Sequence, residues 1–298
     1  MKEAFIISTD STSDFFVNEI KEMNLYVEQL DFTITENGQI EELKDNFTTY
    51  EQYVEFYERL SNGGVAKTSI LNLQAHIDLF TRMAEDGIIN AIHITQGMGL
   101  SPTLVNAQKA IEEVKQKYPK INYVAIESNT TTASEGNLVK IGLKLRDQGK
   151  SMRDTIKILE ELKHQTQHFI VVNDLMYLKR GGRIGATSAA LGSLLHLKPI
   201  IQFDKEGKLK VVRKESGIKK AFKSIISEIK ENYTFHKEFG TPIIVHTNNE
   251  TNAEILANMF EESFNIRPEI RIMGPVIGAH VGPGAVAITF LSNERRKY

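Results

Sequence analysis

Cysteine and tryptophan are both missing from the 298 residues. Without a thiol the chain has no disulfide, no thiolate zinc site, no iron–sulfur cluster and no cysteine nucleophile. An excess of one charge is missing too. Lys and Arg number 36 against 38 Asp and Glu, for a formal net charge of −2, so no global field draws the protein to nucleic acid or to an anionic membrane. No apolar run approaches the roughly 18 residues of a spanning helix. The opening MKEAFIISTDSTSD turns polar after a short apolar run, which points to a soluble cytoplasmic protein without stable membrane insertion. What is present is ordinary globular material, 41% apolar and 25% charged. A chain of this length buries about three quarters of its unfolded surface, enough for one or two domains with sizeable cores.

In the first half, short aliphatic runs closed by hydroxyl residues alternate with amphipathic helical patterns. Residues 4–9 read as a strand followed by a helix over 15–23; 88–95 and 121–126 read as further strands, with helices over 101–118 and 135–148. Alternating strands and helices predict a mostly parallel sheet whose carboxyl-end loops line a common crevice. The acidic, aromatic stretch Asp31–Tyr57 does not repeat this unit and reads as a crossover. A helix over 152–167 leads to Phe169–Val172, where a second domain is expected to begin. Its content is a glycine-rich turn at 181–185, an Ala/Leu run from Ala186 to Leu197, a hairpin of 199–203 with 208–212, helices near 217–232 and 251–264, and strands at 243–245 and 285–291. The expected fold is thus α/β in two domains: a mostly parallel N-terminal sheet with flanking helices over 1–166, and a C-terminal α+β domain over 167–298.

Gly97-Met98-Gly99-Leu100-Ser101-Pro102-Thr103 joins a strand to a helix. Ser101 suits the N-cap and Pro102 the first helical position, and free amides there would suit an anion. A capped helix after a flexible loop accounts for the same residues. The segment is not a dinucleotide fingerprint, because Pro102 fills the third glycine position and no acidic residue clearly ends the next strand. Hydroxyls recur at the other strand ends, in Ser11–Ser13, Thr68-Ser69 and Thr130–Thr132. Each alone reads as a cap or turn former; converging on one sheet edge, they would hold a carboxylate without a formal positive charge. No G-x-S-x-G elbow, GxxxxGK[ST] loop or H-E-x-x-H spacing occurs, so the residues suggest no catalytic set and no metal. His280, inside the Gly274–Gly284 run with its four glycines and two prolines, reads on its own as a hydrogen-bonded core residue. Lys179–Arg183 reads as a turn with exposed charges.

The segments Thr9-Asp10-Ser11-Thr12-Ser13-Asp14, Lys67-Thr68-Ser69, Gly99-Leu100-Ser101-Pro102-Thr103, Asp174–Ile184, Leu197-Lys198-Pro199-Ile200 and Gly274–Gly284 stand in an order that resembles the DegV family of bacterial fatty-acid-binding proteins, which includes the binding subunits of fatty acid kinase. The resemblance implies an acyl chain in a tunnel between two domains. It implies a carboxylate held by Thr68, Ser101 and His280, and it reverses the plain reading of that histidine. It further implies a non-catalytic carrier without cofactor, with palmitate, stearate or oleate as ligand and a fatty acid kinase catalytic subunit as partner. The family's T-S-Q-P is here Thr68-Ser69-Ile70-Leu71, its L-S-G-T has Pro102 for the glycine, the loop before it is about two residues longer, and Ser216 stands where kinase-associated members carry arginine. A hydrolase or phosphotransferase using the same crevice is the alternative.

Overall fold

The computed structural model describes residues 5–69, 72–185, 197–239 and 241–298. Ile70, Leu71 and most of the Ala186–Leu197 run lie outside them. Four parallel strands form the first sheet: β1 (Ile6–Asp10), β2 (Tyr26–Glu28), β6 (Asn90–Thr95) and β7 (Asn122–Glu127), in the order β2-β1-β6-β7. The helices α1 (Val17–Glu22), α3 (Leu73–Glu85) and α4 (Thr103–Lys117) lie between these strands in sequence, and α5 (Ala133–Asp147) and α6 (Met152–Leu162) follow β7. Strand order reverses at β1 and β6, so their carboxyl-end loops open the crevice in which such sheets bind ligands. In α6, Met152, Thr155, Leu159 and Leu162 are buried on one face, and Ser151 caps it by accepting the Asp154 amide. The helix expected to reach Gln167 stops at Leu162, because Thr166 and Gln167 open β8 (Thr166–Val171) and pair with β13 (Val286–Leu291).

The stretch expected to cross over is instead structured. β3 (Asp31–Glu36) and β4 (Gln39–Lys44) form a hairpin, α2 (Tyr50–Ser61) follows, and β5 (Val65–Thr68) returns to pair antiparallel with β3. Phe32 and Ile34 of β3 meet Tyr53, Phe56, Tyr57 and Leu60, which recur at i, i+3, i+4 and i+7 on α2. The C-terminal sheet has the order β10-β9-β8-β13-β11-β12, with β9 (Leu197–Phe203), β10 (Leu209–Ser216), β11 (Ile243–His246) and β12 (Glu269–Ile272). It is antiparallel except where β11 meets β12, and the expected hairpin is β9–β10. Helices α7 (Leu175–Arg180), α8 (Ile218–Asn232), α9 (Glu250–Phe264) and α10 (Pro275–Val281) accompany it. The Gly/Pro-rich run around His280 is therefore a short buried helix with Pro275 at its start.

Candidate functional site

The loops leaving the first sheet are tied together by their own backbone. Thr132 N–H donates to Thr12 O at 2.7 Å, Gly97 N–H to Thr130 O at 2.7 Å, and Ser128 N–H to Thr95 O at 2.8 Å. The strand ends at 11–13 and 130–132 therefore converge, whereas Thr68 ends a strand of the separate β4-β3-β5 sheet. Thr132 has φ 58° and ψ −146°, a region a β-branched residue enters only when its surroundings impose it. Above these loops lies a largely apolar pocket that opens in part to solvent. Its wall includes Thr68, Ser101 and His280 together with Leu30, Ile170, Leu178, Val245, Ile277 and Val281. Both halves of the chain contribute to it.

Thr68 ends β5, and His280 sits in the last turn of α10. Their side chains meet at 2.7 Å, Thr68 Oγ1 to His280 Nε2, across 212 residues of sequence. Ser101 is on the same wall, but its hydroxyl is paired with Thr103 Oγ1 at 2.9 Å rather than with either of them. It does not cap α4, whose first helical residue is Thr103 and whose N-cap is Pro102. Most amides of the glycine loop are already engaged within the protein. Gly97 N–H is taken by Thr130, Met98 N–H by Glu127 Oε2 at 2.6 Å, and the amides of Leu100 and Ser101 by Gly97 O. Glu127 is thus an acidic residue at the end of β7, missed in sequence because its role is to close this loop. Gly99 is small for packing, not for a ligand: a Cβ there would lie 2.3 Å from Gly207 O.

Burial, with help from the Arg183 guanidinium, lowers the His280 basicity to about 4, so the imidazole is neutral near pH 7. Arg183 is itself on the cavity wall and donates to Leu100 O at 3.2 Å and to Gly181 O. Lys179 and Arg180 are exposed as expected, but Arg183 is not, and it gives the crevice a formal positive charge that was not expected. The signal was the glycine beside it, since a Cβ on Gly181 would lie 2.3 Å from His280 Nδ1. The wall also carries Gln96, Thr131, Thr132, Ser134, His168 and Thr289. Of these, only the threonine run 130–132 is singled out by the sequence. Among the described residues, no group of three or more His, Asp or Glu is placed to hold a metal ion, and no helix is long and apolar enough to cross a membrane.

Known proteins share this fold. A DegV domain-containing protein of Clostridium perfringens is 30% identical over 292 residues, covering 98% of each chain. A solved DegV lipid binding protein of Thermotoga maritima superposes with a TM-score of 0.83 at 25% identity, over 99% of this chain and 100% of that one. The fatty acid binding DegV family protein of Streptococcus agalactiae does so with a TM-score of 0.78 at 28% identity, over 97% and 99%. The family model described as "Uncharacterised protein, DegV family" matches residues 4–293, and the chain belongs to the DegV family.

Proposed function

We propose that the protein binds a long-chain fatty acid in this cavity, between an N-terminal unit of residues 1–166 and a C-terminal unit of 167–298. The carboxylate is held by Thr68, Ser101 and His280, and the chain follows the apolar wall. The observation that carries this reading is the pairing of Thr68 with a neutral, partly buried His280 at a largely apolar cavity. A desolvated carboxylate is costly unless hydroxyls and an imidazole meet it. An 18-carbon acid with about 16 methylenes offers on the order of 13 kcal/mol at about 0.8 kcal/mol per buried CH₂, before ordering costs. The T. maritima and S. agalactiae relatives, described as lipid-binding and fatty-acid-binding, support the same ligand class. The protein acts in the cytoplasm as a carrier that catalyses nothing itself and presents the carboxylate to a separate fatty acid kinase.

The test is the lipid that co-purifies. Denaturing extraction and mass spectrometry should release a fatty acid of about 16–18 carbons, and added palmitate, stearate or oleate should raise the melting temperature of stripped protein. Thr68→Ala and Ser101→Ala should each weaken retention about tenfold, the loss of one hydrogen bond to a buried charge. No extractable lipid together with no thermal shift rejects the reading. The Thr68–His280 contact also resembles the start of a nucleophile–base pair. Against that, no carboxylate among the described residues hydrogen-bonds the imidazole, and its low basicity makes it a weak base near pH 7. Turnover of an acyl ester or acyl phosphate by the protein alone, abolished by His280→Ala, would favour the enzyme.

A further inference from the structure

A channel for a plain alkyl chain has no use for polar groups along its wall, yet this cavity carries a polar band. On the face of the C-terminal sheet that lines it, His168 of β8 stands opposite Thr289 of β13, while Ile170 stands opposite Ala287. The apolar pair is nearer the Gly282–Ala285 turn that follows α10. Going along β13, the polar pair therefore lies two residues, about 7 Å, farther from the His280 end. A ligand with its carboxylate at Thr68 and His280 would meet this band with its chain.

The hydrogen bonds around His168 fix what the band lacks. Burial, followed by the nearby Arg296, holds the ring neutral, so it carries one proton. Nε2 lies 2.7 Å from both Thr130 Oγ1 and Ser134 Oγ, and Ser134 donates its only proton to Thr289 Oγ1 at 2.7 Å. Ser134 therefore faces the ring with a lone pair, which places the imidazole proton on Nε2 and leaves Nδ1 a bare acceptor. Nδ1 is buried with no partner, and so is Thr131 Oγ1 on the same cavity wall. Phe203 packs edge-on to the ring at 4.6 Å and offers it no hydrogen bond. An alkyl chain laid here leaves both polar groups unsatisfied. A ketone, which only accepts, leaves Nδ1 as it was.

We propose that the cavity selects fatty acids bearing a hydroxyl on the chain, the O–H donating to His168 Nδ1, with Thr131 Oγ1 as the second hydrogen-bonding group of the band. This rests on the fatty-acid reading above and adds the class of chain to it. Calorimetric titration of stripped protein with stearate, with monohydroxystearates whose hydroxyl is moved along the chain, and with the matching oxostearates tests it. At least one hydroxystearate should bind about tenfold tighter than stearate, and its oxo counterpart should not. The ratio of hydroxystearate to stearate affinity should fall toward one in His168→Phe and drop in Thr131→Val, the latter deciding alone if the former does not fold. Stearate binding with no tighter hydroxystearate, or a ratio that survives in Thr131→Val, overturns the proposal and leaves the fatty-acid reading standing. Failure of stearate and of every hydroxystearate to bind removes both.

Discussion

Asp45 shows most directly how one residue's surroundings set its chemistry. It is buried on the loop after β4, its Oδ2 has no hydrogen-bond partner, and desolvation, with the Asp10 carboxylate adding to it, pushes its pKa from the ordinary 3.8 up to about 7. Asp14, buried next to it, is raised too, chiefly by desolvation and then by Asp45. A folded value above the unfolded one means that the folded state keeps a proton the unfolded chain releases. The stability this carries is complete below about pH 4 and is lost as pH rises through about 7. Asparagine has no proton to lose. Asp45→Asn should therefore gain on the wild type by up to about 1.4 kcal/mol per pH unit between pH 4 and 7 and by nothing further above it. Urea unfolding at pH 4.5, 6 and 7.5 measures this directly; a difference that stays constant across the three would mean that Asp45 is ionised throughout. None of this is visible in sequence, where Asp45 is one acidic residue in an acidic stretch and the glycine that admits its neighbour, Gly274, lies 229 positions away.

Among the elements, the β3–β4 hairpin is written in the sequence by its Asn-Gly turn but masked by its composition. Glu36 pairs with Gln39 around Asn37 and Gly38, both with positive φ, 50° and 78°, in the two-residue Asn-Gly turn that matches strand twist. The acidic composition around it hid the alternation of Phe32 and Ile34, because β4 is exposed along most of its length and has no apolar face of its own. The βα units were legible for the opposite reason, since each strand is buried and each helix has one apolar face. Gly38 has nothing within 4 Å of where a Cβ would stand, so substituting it isolates the backbone cost. Gly38→Ala should destabilise by about 1–2 kcal/mol, and Asn37→Gly should be close to neutral. Equal effects from the two, measured by urea unfolding, would contradict the left-handed turn. Because β3 also pairs with β5, with Phe32 opposite Thr68, Gly38→Ala should weaken ligand retention as well.

At the scale of the whole molecule, the site exists only because distant segments close on one another. The largest apolar cluster joins Leu30–Leu60 of the first half to Val172–Ala285 of the second. Tyr57 Oη donates to Met273 O at 2.7 Å, and Arg271 binds Glu19 while its guanidinium lies over the Phe16 ring. Strands, helices and a hydroxyl-rich edge are legible in the sequence, but the Thr68–His280 contact spans 212 positions and has no local signature; only the ordered set of family-like motifs points to it. A core shared in this way should not let the halves unfold separately. Stripped protein should melt in one transition, followed alike by far-ultraviolet circular dichroism and tyrosine fluorescence. Saturating fatty acid at about 100 times its dissociation constant should then raise unfolding free energy by about 2.7 kcal/mol as one unit. Hydrogen exchange should slow together in β5 and α4 on one side of the cavity and in β8, β13 and α10 on the other. Two transitions, with ligand shifting only one, would instead place the acyl chain inside a single half of the molecule, and Thr68 and His280 could not then share a carboxylate.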